Sequence, residues 1–157
     1  MLSYSDRLED NLRKKVDVLE KIYESDKRFE ETFNDGASNL EQYDEYLIDQ
    51  GSYMEDLDDL DAEYDGLFEY LTKHKDEVRS VQPTQKARID SLIKEIEGKI
   101  QAVNDAEAKV RTLTGEYFRN RKSELASSRK TARVIQNHYR SAPIPVPGTN
   151  SMFDITN

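Results

Sequence analysis

From Tyr4 to Gly36 the chain reads YSDRLEDNLRKKVDVLEKIYESDKRFEETFNDG. Leu8, Leu12, Val16, Leu19, Ile22, Tyr23, Phe29 and Phe33 recur at three- and four-residue steps, which places them along one face of an α-helix over about 4–33. Asp26 interrupts that stripe where an apolar residue belongs. Two readings of it stay open: it lies at the edge of the seam, or it sets register at a cost in stability. Asn34-Asp35-Gly36 ends the segment, because Asn and Gly tolerate the left-handed backbone that commonly closes a helix.

Ser38 or Asn39 then offers a capping oxygen, with Glu41 in the first turn behind it. The second helix is read over about 40–81. Leu40, Leu47, Met54 and Phe68 form one row, and Tyr43, Leu57, Tyr64, Leu71 and Val78 form the row beside it. Leu60 and Leu67 widen the stripe, as expected of a helix packed against two others. Gln82-Pro83-Thr84 closes it, since the residue before proline is pushed out of the helical region. The third helix is read over about 85–138, with Ile89, Leu92, Ile93, Ile96, Ile100, Val103, Val110, Leu113, Tyr117, Phe118 and Leu125 on its stripe. For a hairpin turning at Pro83, paired residue numbers add to about 165, so this helix outruns the second from about residue 126. Apolar residues thin there to Ala132, Ile135 and Tyr139.

Pro143, Pro145 and Pro147 alternate with Ile144 and Val146, which reads as extended chain. The expected architecture is therefore all-α: an antiparallel three-helix bundle or coiled coil over 1–140, with a long third helix and an extended or disordered Pro-rich tail over 141–157. Composition agrees. Charged residues make up 35% of the 157 and hydrophobic ones 36%, with 6 Gly and 4 Pro, a mix suited to long helices each burying one stripe.

Charge is divided along the chain. Residues 1–80 carry 24 acids against 10 Lys and Arg, whereas 81–157 carry 13 basic residues against 8 acids. Glu41 to Glu69 holds 12 acids and no basic residue, and Arg119 to Arg140 holds 7 basic residues and one acid, Glu124. Such asymmetry holds helices together or steers a partner. No stretch reaches the roughly 18 apolar residues of a membrane span, and Asp6, Arg7, Glu9 and Asp10 stand where a secretory signal needs its apolar core. There is no cysteine, which excludes disulfides and thiolate metal sites. The expectation is a cytoplasmic protein without membrane insertion.

Catalytic chemistry finds no footing. His74 and His138 fall on different helices without a nucleophile or metal partner beside them, and are read as solvated surface residues. Asp61, Glu63, Asp65 and Gly66 imitate the opening of a calcium loop, but the twelfth position is Thr72, which cannot supply the bidentate carboxylate, and helical periodicity runs straight through. No metal or cofactor is expected. Arg119, Arg121, Lys122, Arg129, Lys130 and Arg133 suggest phosphate contacts, yet the chain is acidic overall, with no aromatic platform among the basic residues. Nucleic acid is not the expected partner. Tyr43, Tyr46, Tyr53 and Tyr64 read as core filling. Ile135, Tyr139 and Phe153 have no evident cover and, with Arg129, Lys130 and Arg133, form the candidate partner-binding set.

Leu12, Lys14, Lys15, Val16, Leu19 and Ile22, then Leu57, Leu60, Asp61, Tyr64, Leu67 and Phe68, then Tyr117-Phe118 with the basic run to Tyr139, and the closing Ser151, Phe153 and Asp154 carry a resemblance. The chain resembles the flagellar export chaperones of the FlgN and FliT type, in particular small helical flagellar proteins of clostridial type. The resemblance implies a type III export chaperone that binds the C-terminal helical segment of a filament-cap or hook–filament junction protein. It would prevent premature assembly and deliver that client to the export apparatus. The Pro-rich stretch departs from that family's pattern, so no gate-binding residue is carried over. A homodimer is compatible with the helical pattern. The alternative is a structural or scaffold coiled coil without a secreted client, and a small secreted helical effector is a further rival.

Overall fold

The computed structural model describes residues 3–34 and 40–120. Those residues are almost wholly helical: α1 spans Tyr4–Asn34, α2 Leu40–Lys73, α3 Lys75–Ser80 and α4 Pro83–Asn120. No strand occurs among the described residues, and none of their helices is long and apolar enough to cross a membrane. The tail over 141–157 and the continuation of the last helix toward 138 lie outside the described residues.

Local chemistry explains the ends. Ser3 caps α1 reciprocally: its Oγ accepts the Asp6 amide at 3.1 Å, and its own amide donates to Asp6 Oδ2 at 3.4 Å. α4 begins at Pro83 rather than Gln85. Proline serves the first helical position well because its absent N–H would have no partner there, and the first turn closes through Lys86 N–H to Gln82 O at 3.0 Å.

The second helix departs from the expected 40–81. It stops at Lys73, and a separate turn, α3, follows. His74 leaves the helical region at φ −122°, ψ 64°. Its ring stacks on Tyr70 at 3.9 Å and Nδ1 lies 2.7 Å from the Tyr70 carbonyl oxygen, while the His74 carbonyl accepts the amides of Glu77 and Val78 and restarts the helix. Val78 is still returned to the core, at 2% exposure. The connection to α4 is thus spread over 74–82 instead of turning at Pro83. Through α1, whose partners on α2 add to about 72 and on α4 lie 79 positions further on, α2 and α4 residues at one level add to about 151, and α4 passes the start of α2 near residue 111 rather than 126. Phe33 meets Tyr117 edge-on at 5.3 Å, which puts the last turn of α1 at that level.

α1 is the element on which the others pack. It lies closely against both α2 and α4, whereas the backbones of α2 and α4 approach each other at isolated points at most. α1 and α2 are antiparallel: Tyr4 meets Tyr70, Asn11 meets Leu60, Ile22 meets Gln50 and Phe29 meets Tyr43. α1 and α4 are parallel with a constant offset, since Asp6–Gln85, Glu9–Arg88 and Glu20–Lys99 are each 79 positions apart.

The apolar interior falls into two clusters. The larger gathers Leu8, Leu12, Leu19 and Ile22 from α1, Leu57, Leu67 and Leu71 from α2, Val78 from α3, and Ile89, Ile96, Ile100 and Val103 from α4. The smaller joins Phe29, Tyr43, Tyr46, Leu47 and Val110, with Phe33 and Tyr117 against it.

Leu19 is fully buried and Ile48 is 71% exposed. Leu19→Ala should therefore cost about 2–5 kcal/mol by removing buried carbon and leaving a cavity, whereas Ile48→Ala should stay within about 0.5 kcal/mol. Urea unfolding of the two variants checks this; equal costs would contradict the packing described.

Candidate functional site

Each long helix loses its apolar residue at one level of the stripe, and the three gaps coincide. On α1 the gap is Asp26. On α2 it is Gln50, midway in the fourteen-residue step from Tyr43 to Leu57. On α4 it is Glu107, between Val103 and Val110. All three are buried, at 0%, 3% and 5% exposure, and they separate the two apolar clusters. Of the two readings of Asp26, the seam-edge one is excluded: the residue is central.

Tyr46 donates its hydroxyl proton to Asp26 Oδ1, and the Gln50 amide reaches the Ile22 carbonyl at 3.4 Å. Glu107 has Arg111 at 4.0 Å on one oxygen. Asp26 Oδ2, Gln50 Oε1 and Glu107 Oε1 have no hydrogen-bond partner among the described residues. Burial pushes the Asp26 carboxyl up to about 8, against the Tyr46 hydrogen bond, with the Glu107 charge pushing the same way. Burial likewise raises Glu107, opposed by Arg111, and raises the Tyr46 phenol, with Asp26 adding to the effect.

Other polar groups fix α1 against its neighbours within the larger cluster. Asn11 donates to the Leu60 carbonyl at 2.9 Å and to Glu63 at 3.2 Å. Lys15 is buried, pairs with Asp61 at 2.9 Å and lies 4.2 Å from the Tyr64 ring centre. Glu9 receives Arg88 and Gln85, and the Arg88 hydrogen bond is the chief reason its carboxyl is held down at about 2.

Glu55, Asp56, Asp58 and Asp59 are exposed. Asp56, Asp59 and Glu63 face Lys14 and Lys21 of α1 across an open groove of about 390 Å³ floored by Val18 and Leu60. The stretch that imitates a calcium loop, 61–72, is continuous helix within α2. Among the described residues no group of acids and histidines has the geometry of a metal site.

Arg129, Lys130, Arg133, Ile135, Tyr139 and Phe153, together with His138, lie outside the described residues. Sequence reasoning singled out Asp26 and passed over Gln50 and Glu107. Their signal was a missing apolar residue in each stripe, and it takes meaning only once the register brings the three gaps together.

The Asp26 shift has a definite sign. Its folded pKa of about 8 exceeds the ordinary 3.8, so the unfolded chain releases the proton first. Stability therefore falls as pH rises from about 4 to about 8 and is level above that. Glu9 acts in a separate window, giving stability that is lost as pH falls from about 4.5 through about 2. Asp26→Asn, which keeps an acceptor for Tyr46, should raise unfolding free energy at pH 8 by on the order of a few kcal/mol and change it little at pH 4. Urea titrations at both pH values check this; a variant less stable than wild type at pH 8 would contradict it.

No protein-family model matches the chain, and no curated protein or solved structure is significantly similar to it.

Proposed function

We propose that this chain is a cytoplasmic export chaperone of the flagellar type III system, one that sequesters the C-terminal helical segment of a filament-cap or hook–filament junction protein and presents it to the export apparatus. The observation that carries the reading is α2, a helix left half covered. Tyr53, Met54, Leu60, Tyr64 and Phe68 are only partly buried and Ile48 is 71% exposed, along an element with acids throughout. Partly covered apolar rows with charge beside them suit a helical client, which docks through a few apolar anchors. In this reading the chain acts by covering its client, without chemistry or a cofactor, as an antiparallel three-helix bundle or a dimer of such bundles. Arg129, Lys130, Arg133, Ile135, Tyr139 and Phe153 form the contact set in this reading. A scaffold role without a client is the second reading. The polar layer of Asp26, Gln50 and Glu107 favours it, since buried polar groups are a device for fixing coiled-coil register.

The test titrates the full chain with synthetic peptides of the C-terminal helices of cap and hook–filament junction proteins encoded in the same genome. Binding at micromolar affinity or tighter is expected, and Ile135→Ala with Tyr139→Ala should weaken it at least tenfold, about 1.4 kcal/mol, with melting unchanged. No binding to any such peptide, together with stable self-association, would favour the scaffold. Binding untouched by the double change would move the client to α2.

A further inference from the structure

We propose that the layer of Asp26, Tyr46, Gln50 and Glu107 is a proton-dependent joint. While Asp26 holds its proton, the end of the molecule beyond the layer is closed. When Asp26 loses it, that end opens and the rest stays folded.

The geometry sets the two halves apart. Among the described residues, the interior beyond the layer rests on Phe29, Tyr43, Leu47 and Val110 together with Tyr46 of the layer itself, whereas the cluster on the other side draws on all four helices. The polar clamps made by Asn11, Lys15, Glu9 and Arg88 all lie on the larger side. The smaller half thus has the least burial to set against a charged layer, and local opening begins where few contacts must be broken.

The charges facing Asp26 come from every helix around it. Lys27 acts from α1 itself, Tyr46 supplies the hydroxyl from α2, and α4 presents Glu107 and Arg111. Arg111 stands 4.0 Å from Glu107, so one guanidinium faces two carboxyls. With both ionised, a like-charge pair sits in a dry layer, and Asp26 Oδ2 and Glu107 Oε1 have no donor to turn to. With Asp26 protonated, the repulsion is gone and its carboxyl has a proton to donate. Burial raises both acids, and Asp26 titrates at about 8, so the joint responds within a mildly alkaline range. Opening would uncover the aromatic stack of Phe29 on Tyr46, whose rings are 4.5 Å apart.

Amide hydrogen exchange of the full chain at pH 6 and pH 9, corrected for intrinsic rates, tests the proposal. Protection over 29–34 and 43–47 should fall at least tenfold at the higher pH, while 12–19 and 89–100 change less than twofold. The Asp26→Asn, Glu107→Gln double variant should lose the difference. An equal fall in both halves, no fall at all, or the same fall in the variant would overturn the proposal. Should that variant not fold, carbon-13 titration of the wild-type Asp26 carboxyl decides: a midpoint near 8 supports the joint and one near 4 overturns it.

Discussion

Leu8, Leu12, Leu19 and Ile22 lose nearly all contact with water because α2 covers α1 from one side and α4 from the other. A chain with 35% charged residues has few apolar side chains to distribute, and a stripe on α1 that faces two partners lets the apolar rows of both α2 and α4 be covered by one helix. Full burial of each leucine contributes about 1.5–3 kcal/mol, far more than the exposed ion pairs along the helices, at about 0–1 kcal/mol each. The same arrangement leaves α2 and α4 with incomplete neighbours. Hence α2 keeps Tyr53, Met54, Tyr64 and Phe68 only partly covered.

Sharing α1 also demands a register on both of its sides. Apolar packing tolerates sliding, but polar groups placed inside it do not. Asn11 and Lys15 reach defined partners on one stretch of α2, Leu60 to Tyr64, while Asp6, Glu9 and Glu20 meet Gln85, Arg88 and Lys99 of α4 at one constant offset. The layer of Asp26, Gln50 and Glu107 extends that logic to all three long helices at a cost, since its unmatched oxygens are out of water. A sliding helix would drop these groups into apolar surroundings, so the layer opposes misregister even as it weakens the fold. Its carboxyls turn the same cost into a dependence on pH.

Much of this was legible from the residues. The stripe of α1, its end at Asn34 and the start of α2 at Leu40 follow from periodicity and turn chemistry. The break at His74 was hidden because the seven-residue step from Leu71 to Val78 continues across it, and one residue off the helix leaves that spacing intact. The register of α2 on α4 was misjudged for the same reason, as the turn was placed at Pro83 alone. Asp26 announced itself as an intrusion in an apolar row. Gln50 and Glu107 did not, because a gap in a stripe is ordinary until two others are known to share its level. The basic stretch and the tail, on which the client-binding set rests, lie outside the described residues.

The central claim is that α1 pairs in parallel with α4 while standing against α2. The chain has no cysteine, so spin labels can be introduced in pairs without background. Labels at Glu20→Cys with Lys99→Cys should be close, because these side chains meet at 3.9 Å. Labels at Glu9→Cys with Arg88→Cys, also 79 positions apart, should be close as well, whereas an antiparallel α4 meeting Glu20 at Lys99 would separate that pair by about 33 Å, the rise of twenty-two helical residues. A short Glu20–Lys99 distance together with a long Glu9–Arg88 distance would show that α4 does not run parallel to α1.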